Sequence, residues 1–217
     1  MRSGCAATAG TFKPLDEGLD RQATMWGDRH FPLGLKSLDA IQYLFNSEQD
    51  GIRLRGQLDD YATLHRLIVA GDILVREEPI ACCAPPKVTG RNRMSGASAK
   101  VFRKAKAGGG HLHGWLKYWT YYWLLDSHGV EPDFEVTLPN YGRADVFCST
   151  PRIIVECGNT SPGHALTGLT HEFADSFIVV PFQRAMLANI GTHRPYCELK
   201  GFAFTVAACQ VKHNTRP

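Results

Sequence analysis

The chain of 217 residues contains no run of about 18 apolar residues, which excludes a membrane-spanning helix. Its first residues, M-R-S-G-C-A-A-T-A-G-T-F-K, hold too short an apolar stretch for a secretory signal peptide. Paired cysteine spacing is missing as well. The seven cysteines are odd in number and scattered, which argues against a disulfide framework. Cys82 and Cys83 are adjacent rather than spaced C-x-x-C, so no zinc site is expected there. Cys148, Cys157, Cys197 and Cys209 stand in apolar, strand-like contexts, where cysteine acts as a small hydrophobe; a reducing cytoplasm suits this usage. The triglycine at 108–110 lacks the Lys-Ser/Thr of a phosphate loop and reads as a hinge. There is no nucleophile elbow, and spacing alone yields no Ser-His-Asp set.

Acids are absent from one long stretch. Between Pro85 and Gly110 the chain carries Lys87, Arg91, Arg93, Lys100, Arg103, Lys104 and Lys106 with no Asp or Glu, although the net charge of the whole is only +3. A basic segment of this kind suits a polyanion such as DNA, and equally a charged, solvated connector between folded parts. Elsewhere the composition, 44% hydrophobic and 21% charged, is that of a globular protein able to bury a sizeable core.

What is present concentrates between Asp133 and Thr160, where three short strands follow one another. Phe134, Val136 and Leu138 alternate with Asp133, Glu135 and Thr137; Ala144, Val146 and Cys148 with Arg143 and Asp145; Ile153, Val155 and Cys157 with Glu156 and Gly158. The alternation predicts one apolar face on a core and one face carrying the charges. If 139–141 and 149–152 close the two hairpins, Glu135 lies opposite Asp145 and Asp145 opposite Glu156. Directly opposed Cβ atoms are about 4.5–5.5 Å apart. Three carboxylates that close repel one another, and a divalent cation between them converts the repulsion into a ligand set. A solvated sheet face gives the same alternation without any ion.

Around this motif the chain divides into a loose arm (1–32), a helical, winged-helix-like region (33–84), the basic linker (85–110) and a larger domain (111–217). The second part holds a helix through Leu35 to Phe45 and another capped at Asp59 or Asp60, with a stripe of Tyr61, Leu64, Leu67 and Ile68 ending at Gly71. Ile73 to Arg76 reads as a strand. The larger domain opens with an aromatic helix bounded by Gly110 and Gly129, in which Lys117 points off the Trp115–Trp119 face. After the three strands, Ser161 caps a helix running to Asp175, with Pro162 in its first turn. Phe177 to Pro181 is a strand buried on both faces, expected to pair parallel to its predecessor; a short helix over 183–189 and a final strand, Cys197 to Ala208, complete it. The fold class is α/β, a mixed central sheet between helices with an αβββαβ core. His111, His113, His164 and His171 read as satisfied or solvated imidazoles.

This order, with these acids, resembles the PD-(D/E)XK restriction-endonuclease-like nuclease superfamily over roughly His111 to Ala208. The resemblance rests on Glu135 in the first strand, Arg143-Ala144-Asp145-Val146 in the second, and Ile154-Val155-Glu156-Cys157-Gly158 in the third, with Thr160 and Ser161 soon after. The competence-associated and transposon-end branch is the most similar. The resemblance implies a catalytic set of Glu135, Asp145 and Glu156. It also implies Mg2+ (or Mn2+) held by those acids and the backbone carbonyl of Cys157, and Mg2+-dependent cleavage of DNA in a mobile-element or defence setting. DNA contacts fall to Arg143 and the basic segment. The superfamily's lysine, two residues after the last acid, is replaced by Gly158, a residue that would allow DNA backbone or the helix at Ser161 to come close. Lys117 and Lys200 are the candidates for a migrated lysine, with Lys117 placed in the catalytic set. The rival reading is a nuclease-fold protein that grips DNA without cutting it. A homodimer or a partner protein in a larger complex is the remaining partnership expected.

Overall fold

A computed structural model describes Phe45 and residues 54–83, 96–171, 173–182 and 196–207. The arm at 1–32, the helix expected before Phe45, the side chains of Lys87, Arg91 and Arg93, and the short helix over 183–189 lie outside the described residues. Four helices are described: α1 (Leu54–Ala70), α2 (Gly96–Ala105), α3 (His111–His128) and α4 (Pro162–Thr170). The strands are β1 (Ile73–Cys83), β2 (Asp133–Leu138), β3 (Gly142–Ser149), β4 (Arg152–Cys157), β5 (Ser176–Val180) and β6 (Tyr196–Val206).

Among the described residues these strands form one mixed sheet in the order β1-β6-β5-β4-β3-β2. Both hairpins take the register that the spacing predicts. Leu138 faces Gly142, Phe134 faces Val146, and Cys148 faces Ile153. The first turn is set by Asn140 and Gly142, both at positive φ, residue types that tolerate it. β5 follows the α4 crossover and pairs parallel to β4, with Ile154 beside Phe177. β6 is antiparallel to both of its neighbours.

The sheet is apolar on both sides. One cluster joins Tyr61 and Leu64 of α1 and Ala165 and Leu169 of α4 to Ile154, Phe177, Val179, Phe202 and Phe204. The other joins Leu116, Tyr118, Trp119, Trp123 and Leu124 of α3 to Val146, Val155, Ile178 and Ala203. The expected alternation of buried and less buried positions holds in β3, where Ala144, Val146 and Cys148 are buried, whereas in β4 it is corrected: Ile153 to Cys157 are all buried because helices cover both surfaces.

Three further expectations change. The strand expected at Ile73 to Arg76 continues to Cys83 and pairs along its length with β6, so residues 73–83 share a sheet with strands from the segment after His111. Helix α1 begins before Asp59 and Asp60, which lie inside it rather than capping it. Asp60 instead faces the start of α4, where a Cβ at Gly163 would come within 2.7 Å of its Oδ2. Helix α4 starts as expected, with Ser161 Oγ accepting from the His164 amide at 3.3 Å, but it ends at Thr170. There Ala174 drops into the core, and Asp175 is tied to Arg152 by its amide (2.8 Å to the Arg152 carbonyl) and by its carboxylate (2.7 Å). No helix of the described residues is long and apolar enough to cross a membrane.

Phe177 sits at the centre, fully buried, with its ring 3.1 Å from where a Cβ on Gly168 would lie. Phe177→Ala is expected to cost about 3–5 kcal/mol of stability, measured as a lower midpoint in urea unfolding with an unchanged slope.

Candidate functional site

The β2–β3 ribbon turns over at Glu135 and Asp145. Phe134 and Val146 pack on the α3 side, whereas Leu138 and Ala144 pack on the α1–α4 side. The ladder between the strands skips the Glu135–Asp145 position, and Glu135 carries φ 57. A non-glycine residue in the left-handed region costs backbone energy and persists only where its surroundings hold it. Here two cations hold it. Arg143 Nε lies 2.6 Å from Glu135 Oε2, and Lys117 Nζ binds Glu135 Oε1.

Lys117 is the group around which the charges gather. Its side chain is wholly buried, reaching from α3 toward the sheet, with Nζ donating to the Ala107 carbonyl at 2.6 Å and 4.0 Å from Asp145 Oδ1. His113, four residues earlier on the same helix face, places Nε2 2.9 Å from the same Asp145 oxygen. Asp145's other oxygen accepts the Cys157 amide at 2.8 Å. One ligand atom each from His113, Glu135 and Asp145 can be chosen so that all lie within 4.8 Å of one another. These donors suit a divalent cation: two carboxylates and an imidazole converge from three separate elements.

Glu156 stands behind this group. It is 6% exposed and accepts a hydrogen bond from the Tyr141 hydroxyl. Burial first, and then the charge of Asp145, push its carboxyl up to about 8, so the folded chain keeps its proton at neutral pH. Burial, then Glu156, raise Tyr141 in turn. The His164 ring lies 5.1 Å from that of Tyr141, with Nδ1 3.5 Å from Thr160 Oγ1. Burial lowers its pKa, partly opposed by Asp145.

Gly158 has a physical reason to lack a side chain. Its φ is 84, and a Cβ there would meet the Phe182 ring at 2.5 Å. Within the chain, the close approach at this glycine is made by the Phe182 ring. A lysine at 158 cannot be accommodated without moving Phe182, whereas Lys117 already delivers an ammonium to the acids from α3.

The remaining residues singled out in the sequence are distributed as follows. The Cys157 side chain is buried on the α3 side, its Sγ 3.8 Å from Thr120 Oγ1. Lys200 pairs with Glu77 at 2.8 Å on the β1–β6 edge, on strands remote from the acids. Lys100, Arg103, Lys104 and Lys106 are exposed on α2 and the turn after it, which leads into α3. His113, read from the sequence as a satisfied or solvated imidazole, joins the site through Asp145, and Tyr141 was not singled out. His113 carried a usable signal, its i, i+4 relation to Lys117, but Tyr141 sits in a hairpin turn and had none.

No family model, curated protein or solved structure matches the chain.

Glu156 gives a prediction with a definite sign. An unfolded Glu releases its proton near 4.5, while the folded carboxyl holds it to about 8. Between these values the folded state binds more protons, so its contribution is complete below the lower value and is lost as pH rises through the upper one. In chelator-containing buffer, the urea midpoint of the parent should fall from pH 5 to pH 8.5, and that of Glu156→Gln should fall less.

Proposed function

We propose that this chain is a divalent-metal-dependent DNA endonuclease of the PD-(D/E)XK type, with its lysine moved to α3. The observation that carries the reading is the buried ammonium of Lys117 beside Glu135 and Asp145, combined with a Phe182 ring that excludes a side chain at Gly158. The element order α3-β2-β3-β4-α4-β5, with β5 parallel to β4, supports it.

In this reading Glu135 and Asp145 hold the ion, Mg2+ or Mn2+, with Glu156 and the Cys157 carbonyl completing the shell when Glu156 releases its proton. A bound divalent ion would acidify water and draw charge from the scissile phosphate. The other tasks belong to the protein. Lys117, wholly buried against Glu135, Asp145 and the Ala107 carbonyl, holds the two acids in place and adds positive potential beside the ion, an effect that burial makes stronger than in water. Arg143, half exposed at the rim, exchanges Glu135 for a backbone phosphate. Water oxygen bonds to phosphorus, one ester P–O bond breaks, and the departing oxygen takes a proton, leaving a phosphate monoester and a hydroxyl. The exposed lysines and arginines of α2 bind neighbouring phosphates.

One observation favours a second reading, that the chain grips DNA without cutting it: both Glu135 oxygens are already engaged by cations. Incubation with supercoiled and linear DNA in Mg2+ or Mn2+ separates the two. The nuclease reading expects nicking by the parent that falls by about 100-fold or more in Asp145→Ala and Lys117→Met. Metal-independent retention of DNA with no cleavage, unchanged in both variants, would replace it with the binding reading.

Changing Lys100, Arg103, Lys104 and Lys106 to Gln should flatten the dependence of log affinity on log salt. On duplex DNA the slope should drop by about 0.9 for each phosphate that these side chains had neutralised. Fluorescence anisotropy over a salt series measures it, and an unaltered slope would remove α2 from the interface.

A further inference from the structure

We propose that His113 is a nitrogen ligand to the cation held by Glu135 and Asp145, and that this donor makes the site favour Mn2+ and Co2+ over Mg2+. The proposal deepens the reading above and rests on it only in taking the site to bind a divalent ion.

Geometry comes first. Two ligands at right angles on an octahedral ion, each about 2.1 Å from it, are about 3.0 Å apart, and opposed ligands are about 4.2 Å apart. His113 Nε2 and Asp145 Oδ1 are 2.9 Å apart, and the atoms of the trio lie within 4.8 Å of one another. The pair already has the separation of adjacent ligands. His113 is also held in place: it projects from the first turn of α3, four residues before the buried Lys117, and its side chain is 20% exposed. Glu156, the acid that the sequence pattern nominates for this position, accepts from the Tyr141 hydroxyl and also lies against Asp145.

Donor chemistry then sets the preference. Mg2+ is a hard ion that favours oxygen and keeps its waters, so replacing an oxygen donor by imidazole costs it affinity. First-row transition ions accept imidazole readily, and their affinity rises from Mn2+ to Co2+. A set of two carboxylates and one imidazole should therefore bind in the order Mg2+ < Mn2+ < Co2+, while an all-oxygen set would separate Mg2+ from Mn2+ far less.

The test is spectroscopic and needs no DNA. Pulsed electron paramagnetic resonance on the full chain loaded with Mn2+ should show modulation from a directly bound imidazole 14N, and that signal should vanish in His113→Ala. Calorimetric titration should show His113→Ala weakening Mn2+ and Co2+ by about 10–100-fold, with a clearly smaller loss for Mg2+. Absence of nitrogen coupling in the parent overturns the proposal, and so does equal weakening of all three ions in the variant. The parent spectrum stands as a test even if the variant folds poorly. Nitrogen coupling without any DNA cleavage would retire the nuclease reading and keep His113 as a ligand. Asp145-dependent cleavage without nitrogen coupling would do the reverse.

Discussion

An ammonium removed entirely from water costs several kcal/mol unless partners replace its hydration. Lys117 is such a group, and much of the local architecture follows from satisfying it. Its partners come from three places: the Ala107 carbonyl after α2, Glu135 on β2 and Asp145 on β3. To reach Nζ, Glu135 adopts a backbone conformation that its residue type disfavours, and the ribbon gives up one ladder position beside it. Loss of either acid would leave a buried charge with too few partners, a penalty much larger than the net worth of the ion pairs themselves.

The turning-over of the ribbon also explains where the charges can exist. Ala144 belongs to the core beneath α1 and α4, and Val146 belongs to the core beneath α3. Asp145 lies between these two residues on β3, its side chain 14% exposed. A carboxylate there is shielded from bulk water yet not enclosed in hydrocarbon, since the Cys157 amide, His113 and Lys117 surround it. The effective dielectric is low, so each added charge matters more than on an open face.

Local patterns carried a good part of this fold. The hairpin register could be counted from turn residues, β5 announced itself as an uninterrupted apolar run, and Gly110 and Gly129 bracket α3 as expected, with Gly129 in the left-handed C-cap conformation. The helix start at Ser161 followed from its side-chain cap. Long-range matters were not legible. Nothing in the run Ile73 to Cys83 says that its partner is the strand ending at Val206, because pairing across that separation is decided by the assembled core. The placement of Glu135 and Asp145 side by side could be read from spacing, while the rotation of Glu156 toward Tyr141 could not, since it depends on where a turn residue falls. Likewise the Gly158 position made sense only once Phe182, well beyond it in sequence, was seen to cover it.

The pairing of β1 with β6 bears on how the chain comes into being on a ribosome. Within the described sheet, β6 is the sole neighbour of β1 and also flanks β5. An emerging polypeptide would therefore hold residues 73–83 with an unsatisfied backbone edge until residues 196–206 had cleared the exit tunnel. At a synthesis rate of about 5–20 residues per second that wait lasts several seconds or more. Pro79, which has no amide hydrogen to offer a foreign strand, and the adjacent charges of Arg76, Glu77 and Glu78 are the kind of residues that keep such an orphan segment from seeking other company in the meantime.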